Sequence, residues 1–268
     1  MLKDLNDRTL VAIELAKMAG NEILKVASTT KLNIKDKGIN DVVTIADFNS
    51  EKIIIEGIQS NFPDDGIISE ETKNAIATNK FTWVIDPLDG TMNFSRGIPF
   101  YCVSIGYMKD GKPEGGAIFI PKTNELYFCE KGKGSYCNNK KLFVSNVSML
   151  SKSLGTLGFN NRYLDLTNYC CSLHNNMMHN MLNVEKLFST VISLCYVASG
   201  KLEAHAEIYC YLWDLCVGSL LVEEAGGKVC NEFGTDIDFS KIEKHIIIGT
   251  NSSVHNEFVN KIIKNDQI

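Results

Sequence analysis

The stretch WVIDPLDGTMNF, residues 83–94, runs an apolar segment into two carboxylates, Asp86 and Asp89, and follows them with Gly90-Thr91. Paired negative charge at a buried strand end is costly, because burial and like-charge repulsion both disfavour the ionised forms. Either the pair sits at a surface turn and carries no function, or a cation lies between the two acids. A Gly-Thr turn after a strand can aim backbone N–H groups at an anion. Acids for a cation beside a turn for an anion suit a phosphate.

Outward from this stretch, other acids also follow apolar runs. GIISEET (66–72) reads as a strand ending in Glu70 and Glu71. DVVTIADFNSEKIIIEGIQSNF (41–62) reads as a short strand or turn entering a helix, with Asp47 near the helix start. WDLCVGSLLVEEAGG (213–227) reads as a helix ended by glycines, with Asp214 in its first turn. Each acid alone has a bland reading: a helix cap for Asp47, a turn for Asp86-Pro87, a solvated loop for Glu70-Glu71, a favourable helix-end charge for Asp214. Together they supply the hard oxygen ligands that Mg²⁺ takes. The five histidines form no HExxH pair, and His174 and His179 are five apart, off one helical face. Zinc is therefore not expected, and neither a GxSxG elbow nor a P-loop is present.

The remaining pattern predicts an α/β fold. Residues 5–27 form an amphipathic helix, with Val11, Leu15 and Met18 on one stripe and Ala12, Ala16, Ala19 and Ile23 on the next. Residues 101–145 alternate and turn as antiparallel hairpins. After about residue 150, strands and helices alternate: strands at SLGTLGF, KLEAHAEI and HIIIGT, helices at 162–180 and 190–199 and in SSVHNEFVNKII. The chain, 1–268, is expected to be one domain with lobes at about 1–148 and 149–268.

Net charge is −5 with 22% charged residues, which favours neither nucleic acid nor an anionic membrane as partner. The lysines at 131, 133, 140 and 141 read as a solvated hairpin edge. Nine scattered cysteines without a CxxC pair suit free thiols in a reducing cytoplasm. Charges interrupt the N-terminal segment, so neither a signal peptide nor a membrane span is expected there.

DPLDGTMNF (86–94) leading into GIPFYCVSIG (97–106), together with WDLCVGSLLVEEAGG, DVVTIAD (41–47) and SEE (69–71), resembles the inositol monophosphatase family in order and spacing over nearly the whole chain. The resemblance implies a layered αβαβα sandwich, Mg²⁺ dependence, lithium sensitivity, a homodimer and hydrolysis of a phosphorylated polyol or sugar. It places a first metal on Glu70, Asp86 and the Leu88 carbonyl, and a second on Asp86, Asp89 and Asp214. A third, weaker metal would sit near Glu70. Asp47 and Thr91 would activate water, the Gly90 and Thr91 N–H groups would hold phosphate, and Glu207 would contact a substrate hydroxyl. Inositol monophosphate is the first substrate expected. Histidinol phosphate, fructose 1,6-bisphosphate and adenosine 3′,5′-bisphosphate are alternatives, and a catalytically silent interaction protein is the alternative of another class. Members often carry Arg and then Gly-Ser or Gly-Thr before VASG; here Glu185 and Phe188 stand at the Arg and Gly places.

Overall fold

A computed structural model describes residues 2–29, 32–38, 41–72, 80–159 and 164–264. Helices α1 (Asp7–Ala27) and α2 (Ile45–Asn61) form an outer layer. The side chain of Asn6 caps α1 by accepting the Thr9 N–H at 2.9 Å. The buried stripe of α1 centres on Ala12, Ala16, Ala19 and Ile23, small residues that let the helix lie close on a sheet. Met18, expected in the apolar stripe, is instead 49% exposed. It lies two residues from the sheet-facing Gly20, about 200° around the helix.

Below that layer lies a seven-stranded sheet: β3 (Gly66–Ser69), β4 (Phe81–Asp89), β5 (Cys102–Lys109), β6 (Lys112–Ile120), β7 (Glu125–Glu130), β8 (Gly134–Cys137) and β9 (Lys140–Lys141), neighbours in that order. Only β3 and β4 run parallel; the rest are the expected hairpins. A separate hairpin, β1 (Lys35–Gly38) with β2 (Asp41–Val43), precedes α2. The lysines of β9 are exposed at the sheet edge, as expected, whereas Lys133 pairs with Glu130 at 2.6 Å.

Successive strand residues point to opposite faces, so each sheet feeds two cores. Trp83, Ile85, Val103 and Phe119 pack under α1 and α2, while Val84, Ile118 and Tyr127 face a central helical layer. That layer is α5 (Thr190–Ala198) and α6 (Leu212–Glu224). Full burial of one such side chain is worth about 1.5–3 kcal/mol. Beyond α5 and α6 comes a five-stranded sheet ordered β11 (Asn183–Glu185), β10 (Leu154–Phe159), β12 (Ala204–Cys210), β14 (His245–Thr250) and β13 (Lys228–Cys230). Ile247 faces α5 and α6; Ile246 and Ile248 face the last layer, α4 (Thr167–Asn180) and α7 (His255–Phe258) with the wider turn Val259–Ile263 that continues it.

The architecture is the expected αβαβα sandwich. The helix expected over 162–180 begins with a short 3₁₀ turn, Leu164–Leu166, and residues 162–163 lie outside the described residues. No described helix is long and apolar enough to cross a membrane.

Candidate active site

Asp86 and Asp89 are three residues apart, a spacing that sends side chains to opposite faces of a regular strand. The β4–β5 pairing breaks that regularity. Asp86 pairs with Ser104 and Asp89 with Cys102, so three steps on β4 oppose two on β5. The extra residue is a bulge, and it re-aims the strand end so that both carboxylates converge. Pro87, which has no N–H to give a ladder, sits inside it. The bulge is tied down: Ser50 Oγ donates to the Pro87 carbonyl at 2.6 Å, and the Leu88 N–H donates to Asp86 Oδ1 at 3.0 Å.

Asp214 arrives from the central layer. It is the third residue of α6 and accepts the Tyr211 N–H at 2.7 Å. Carboxylate oxygens of Asp86, Asp89 and Asp214 lie within 4.8 Å of one another. Glu70 follows β3 and, because β3 is parallel to β4, lies beside the same strand end, its N–H donating to the Ile85 carbonyl at 3.2 Å. Glu70 lines the cavity but stands outside the three-acid cluster. Buried Glu51 props the turn after β3, accepting Ser69 Oγ at 2.5 Å and the Thr72 N–H at 3.0 Å. No sequence signal distinguished it.

Asp47 was a candidate helix cap; the N-cap is in fact Thr44, and Asp47 is its capping-box partner at the third helical position. Its Oδ2 accepts both the Thr44 N–H (2.8 Å) and the Thr44 hydroxyl (2.7 Å). Oδ1 is left for Thr91, whose Oγ1 lies 3.0 Å from it and 2.9 Å from the Leu88 carbonyl. Gly90, at φ +85°, makes the turn; a Cβ there would lie 2.6 Å from the Phe100 carbonyl oxygen. The short helix α3 (Thr91–Ser95) starts at once, placing the Gly90-Thr91 backbone on the cavity of about 380 Å³ above the acids.

The far wall of that cavity comes from the second half of the chain. Glu207, expected to contact a substrate hydroxyl, lies within β12, and its side chain is 13% exposed. Gly158 of β10 pairs with Glu207, and a Cβ at Gly158 would lie 1.7 Å from its Oε2. The carboxylate thus rests over a bare backbone, bonded to the Thr190 side chain and 3.5 Å from His205 Nε2. Glu203, four residues earlier, faces elsewhere and accepts Ser145 Oγ at 2.7 Å and the Leu154 N–H at 2.6 Å.

Sequence reasoning missed Lys186, Ser189 and Thr190 on this wall. Lys186 and Ser189 lie on the short irregular connection between β11 and α5, and Thr190 opens α5, with no motif to mark them. Ser189 caps α5 and donates its hydroxyl to Asp89, which also accepts the Val191 N–H at 3.2 Å. Phe188 keeps the left-handed backbone, φ +57°, that favours glycine, at a strain of about 1–2 kcal/mol. Its ring stands 61% exposed at the cavity.

The acids repel one another where they converge. Burial, then Glu70, Asp89 and Asp214, hold the Asp86 carboxyl well above the usual carboxylate range. Burial, then Asp89, does the same for Asp214. Asp89 is pushed up to about 6 by burial, with the Ser189 hydroxyl opposing. Asp47 is raised to about 6 by burial against the Thr44 bonds. Three carboxylates at this spacing, all hard oxygen donors, fit a divalent cation such as Mg²⁺. Among the described residues no His or Cys group competes for a metal.

The sequence profile of the inositol monophosphatase family matches residues 4–267. The chain is 34% identical over 260 residues to Nus factor SuhB of Pasteurella multocida, covering 96% of each. It is 35% identical over 259 residues to inositol monophosphatase 2 of Solanum lycopersicum, covering 94% of this chain and 96% of that one. The solved inositol monophosphatase of Anabaena superposes with a TM-score of 0.84 at 31% identity, over 95% of this chain and 94% of the other. With its fold, its strand-end acids and these relatives in agreement, the chain belongs to the inositol monophosphatase family.

Proposed function

We propose that the chain hydrolyses small phosphomonoesters in the presence of Mg²⁺, with a phosphorylated polyol or sugar as substrate and inositol monophosphate the first to test. The observation that carries the reading is the convergence of Asp86, Asp89 and Asp214 under the Gly90-Thr91 turn. Asp86, Asp89 and Asp214 would hold metal, with Glu70 and the Leu88 carbonyl completing a second position. Bound Mg²⁺ makes water easier to deprotonate and offsets charge on the phosphoryl oxygens. The Gly90 and Thr91 N–H groups hold the phosphate. Thr91 and Asp47 orient the attacking water and take its proton. Glu207 receives the alcohol half. Acids from both halves of the chain build one functional unit. The family resemblance supports a homodimer, and nine free thiols suit the cytoplasm.

Phosphate release from inositol monophosphate, histidinol phosphate, fructose 1,6-bisphosphate and adenosine 3′,5′-bisphosphate, with Mg²⁺ and then with EDTA, tests the reading. Release from none of them with Mg²⁺ would overturn it. Lithium in the millimolar range, well below physiological salt, is expected to inhibit turnover; unchanged kinetics there would count against the resemblance. The relatives named Nus factor SuhB support a second reading, a binding role beside or in place of turnover. A variant that loses turnover but keeps such a role would separate the two.

Glu207→Ala is expected to lower kcat/KM for inositol monophosphate roughly 10–100-fold, the size expected when a buried hydrogen bond is lost and its partner is left unsatisfied. An aryl phosphate, with no hydroxyl to offer, should be spared. Gly158→Ala should reproduce that split with little loss of stability. Its methyl would occupy the place of Glu207 Oε2, and the carboxylate can swing away while the backbone stays. Equal losses on both esters would make Glu207 a support of the fold or the acids.

A further inference from the structure

We propose that Lys186, held on the faces of Phe159 and Phe188, forms a subsite for a second anionic group, a carboxylate or phosphate, on the alcohol half of the substrate. The inference rests on the phosphatase reading and narrows its substrate class. Lys186 Nζ lies 3.7 Å from the Phe159 ring centroid and 5.2 Å from that of Phe188. All three side chains line the cavity. An ammonium is attracted by the negative faces of aromatic rings. The rings satisfy the charge in part but accept no conventional hydrogen bond, and an ammonium has three N–H donors.

Lys186 makes no ion pair with any described carboxylate. Glu207, on the same wall, is turned to Thr190 and to His205. Burial pushes the Glu207 carboxyl up to about 8, so near neutral pH it does little to neutralise Lys186. Desolvation lowers the Lys186 pKa, with Glu207 opposing, as expected for a half-buried cation short of an anion. Such a group costs free energy until a partner arrives. The acids that would carry metal and the reacting phosphate are Asp86, Asp89 and Asp214 at the strand end, whereas Lys186 accompanies Glu207, where the alcohol half is placed.

Phe188 adds an independent observation. A bulky residue is kept in a left-handed conformation that glycine would adopt without strain, and its ring is exposed beside the lysine. Backbone strain of this kind persists where the surroundings impose it, often at ligand sites. The competing account is structural: the lysine stem merely covers two rings.

Lys186→Met separates the accounts, because it keeps an unbranched apolar stem on the rings and deletes only the charge. The measurement is kcat/KM with Mg²⁺ on two matched pairs, glycerol 2-phosphate with 2-phosphoglycerate and fructose 6-phosphate with fructose 1,6-bisphosphate, plus 4-nitrophenyl phosphate. The wild type is expected to favour the member with the extra anion in at least one pair. Lys186→Met should remove roughly 10–100-fold of kcat/KM for that member, through KM. It should leave 4-nitrophenyl phosphate within about twofold. Preference in the first pair identifies a carboxylate, and in the second a phosphate. No preference in the wild type, a preference that survives in Lys186→Met, or equal losses on every ester would overturn the subsite. If the wild type hydrolyses none of the five, the phosphatase reading fails separately. The subsite is then judged by thermal stabilisation: the extra-anion ligand must raise Tm more in the wild type than in Lys186→Met.

Discussion

Asp214→Asn is expected to lower kcat on the order of 10³-fold, because a lost cation site removes several kcal/mol of transition-state stabilisation. The same substitution should raise the thermal stability of the metal-free chain. Asp214 sits against Asp86 and Asp89 and raises the Asp86 pKa by its charge. Asn keeps a carbonyl oxygen to accept the Tyr211 N–H, so the start of α6 survives. The pH dependence has a definite sign. Asp89 titrates near 3.8 in the unfolded chain and about 6 in the folded one, so the native state binds protons more tightly. The stability linked to that difference is fully present below about pH 4 and is lost as pH rises through about 6. Asp47 follows the same direction. The metal-free wild type should therefore have a lower Tm at pH 8 than at pH 5, with a free-energy contribution on the order of 1–3 kcal/mol from each such group. Mg²⁺ should narrow the gap by supplying the missing positive charge, and the fall should be shallower in Asp214→Asn. Full turnover in EDTA, or in Asp214→Asn, would overturn the metal reading. A Tm that rises from pH 5 to pH 8 without metal would overturn the electrostatic account.

Much of the site was legible because its acids end apolar runs, and burial makes a carboxylate there conspicuous. Asp47, Glu70, Asp86, Asp89 and Asp214 all stood out for that reason. How they converge was not legible. The bulge depends on which residues of β5 oppose Asp86 and Asp89, a property of the pairing and not of either strand alone. Only the family resemblance singled out Glu207 over Glu203, four residues earlier; the physical distinction lies in the pairing of Gly158 with Glu207 and the ties of Glu203 to Ser145 and Leu154. The three-residue strands β11 and β13 have too little pattern to announce themselves and exist through the sheet that pairs them. Phe188 lacked a local signal for the opposite reason: its residue type argues against the left-handed backbone it adopts.

Thr91→Ala is expected to lower kcat about 10²–10⁴-fold, the range for losing positioned proton transfer, with little change in KM. The Thr91 hydroxyl has one hydrogen and two acceptors within reach, Asp47 Oδ1 and the Leu88 carbonyl. When its hydrogen goes to Asp47, both lone pairs face away from that bond and can receive a proton from water. The proposed base, Asp47, is held in place, because the Thr44 N–H and hydroxyl occupy its other oxygen and fix the plane of the carboxylate. Burial raises Asp47 to about 6, closer to neutrality than a free aspartate and better matched to accepting a proton near pH 7. Removal of the hydroxyl would break the proposed link between water and base while leaving in place the N–H groups of Gly90 and Thr91 that are proposed to hold phosphate. An interaction made chiefly in the transition state appears in kcat, and one made equally with bound substrate appears in KM. Thr91→Ser, which restores the hydroxyl, should recover most of the activity. A Thr91→Ala enzyme with unchanged kcat and a raised KM would assign Thr91 to substrate binding, and a Thr91→Ser enzyme as slow as Thr91→Ala would assign the loss to the missing methyl instead of the relay.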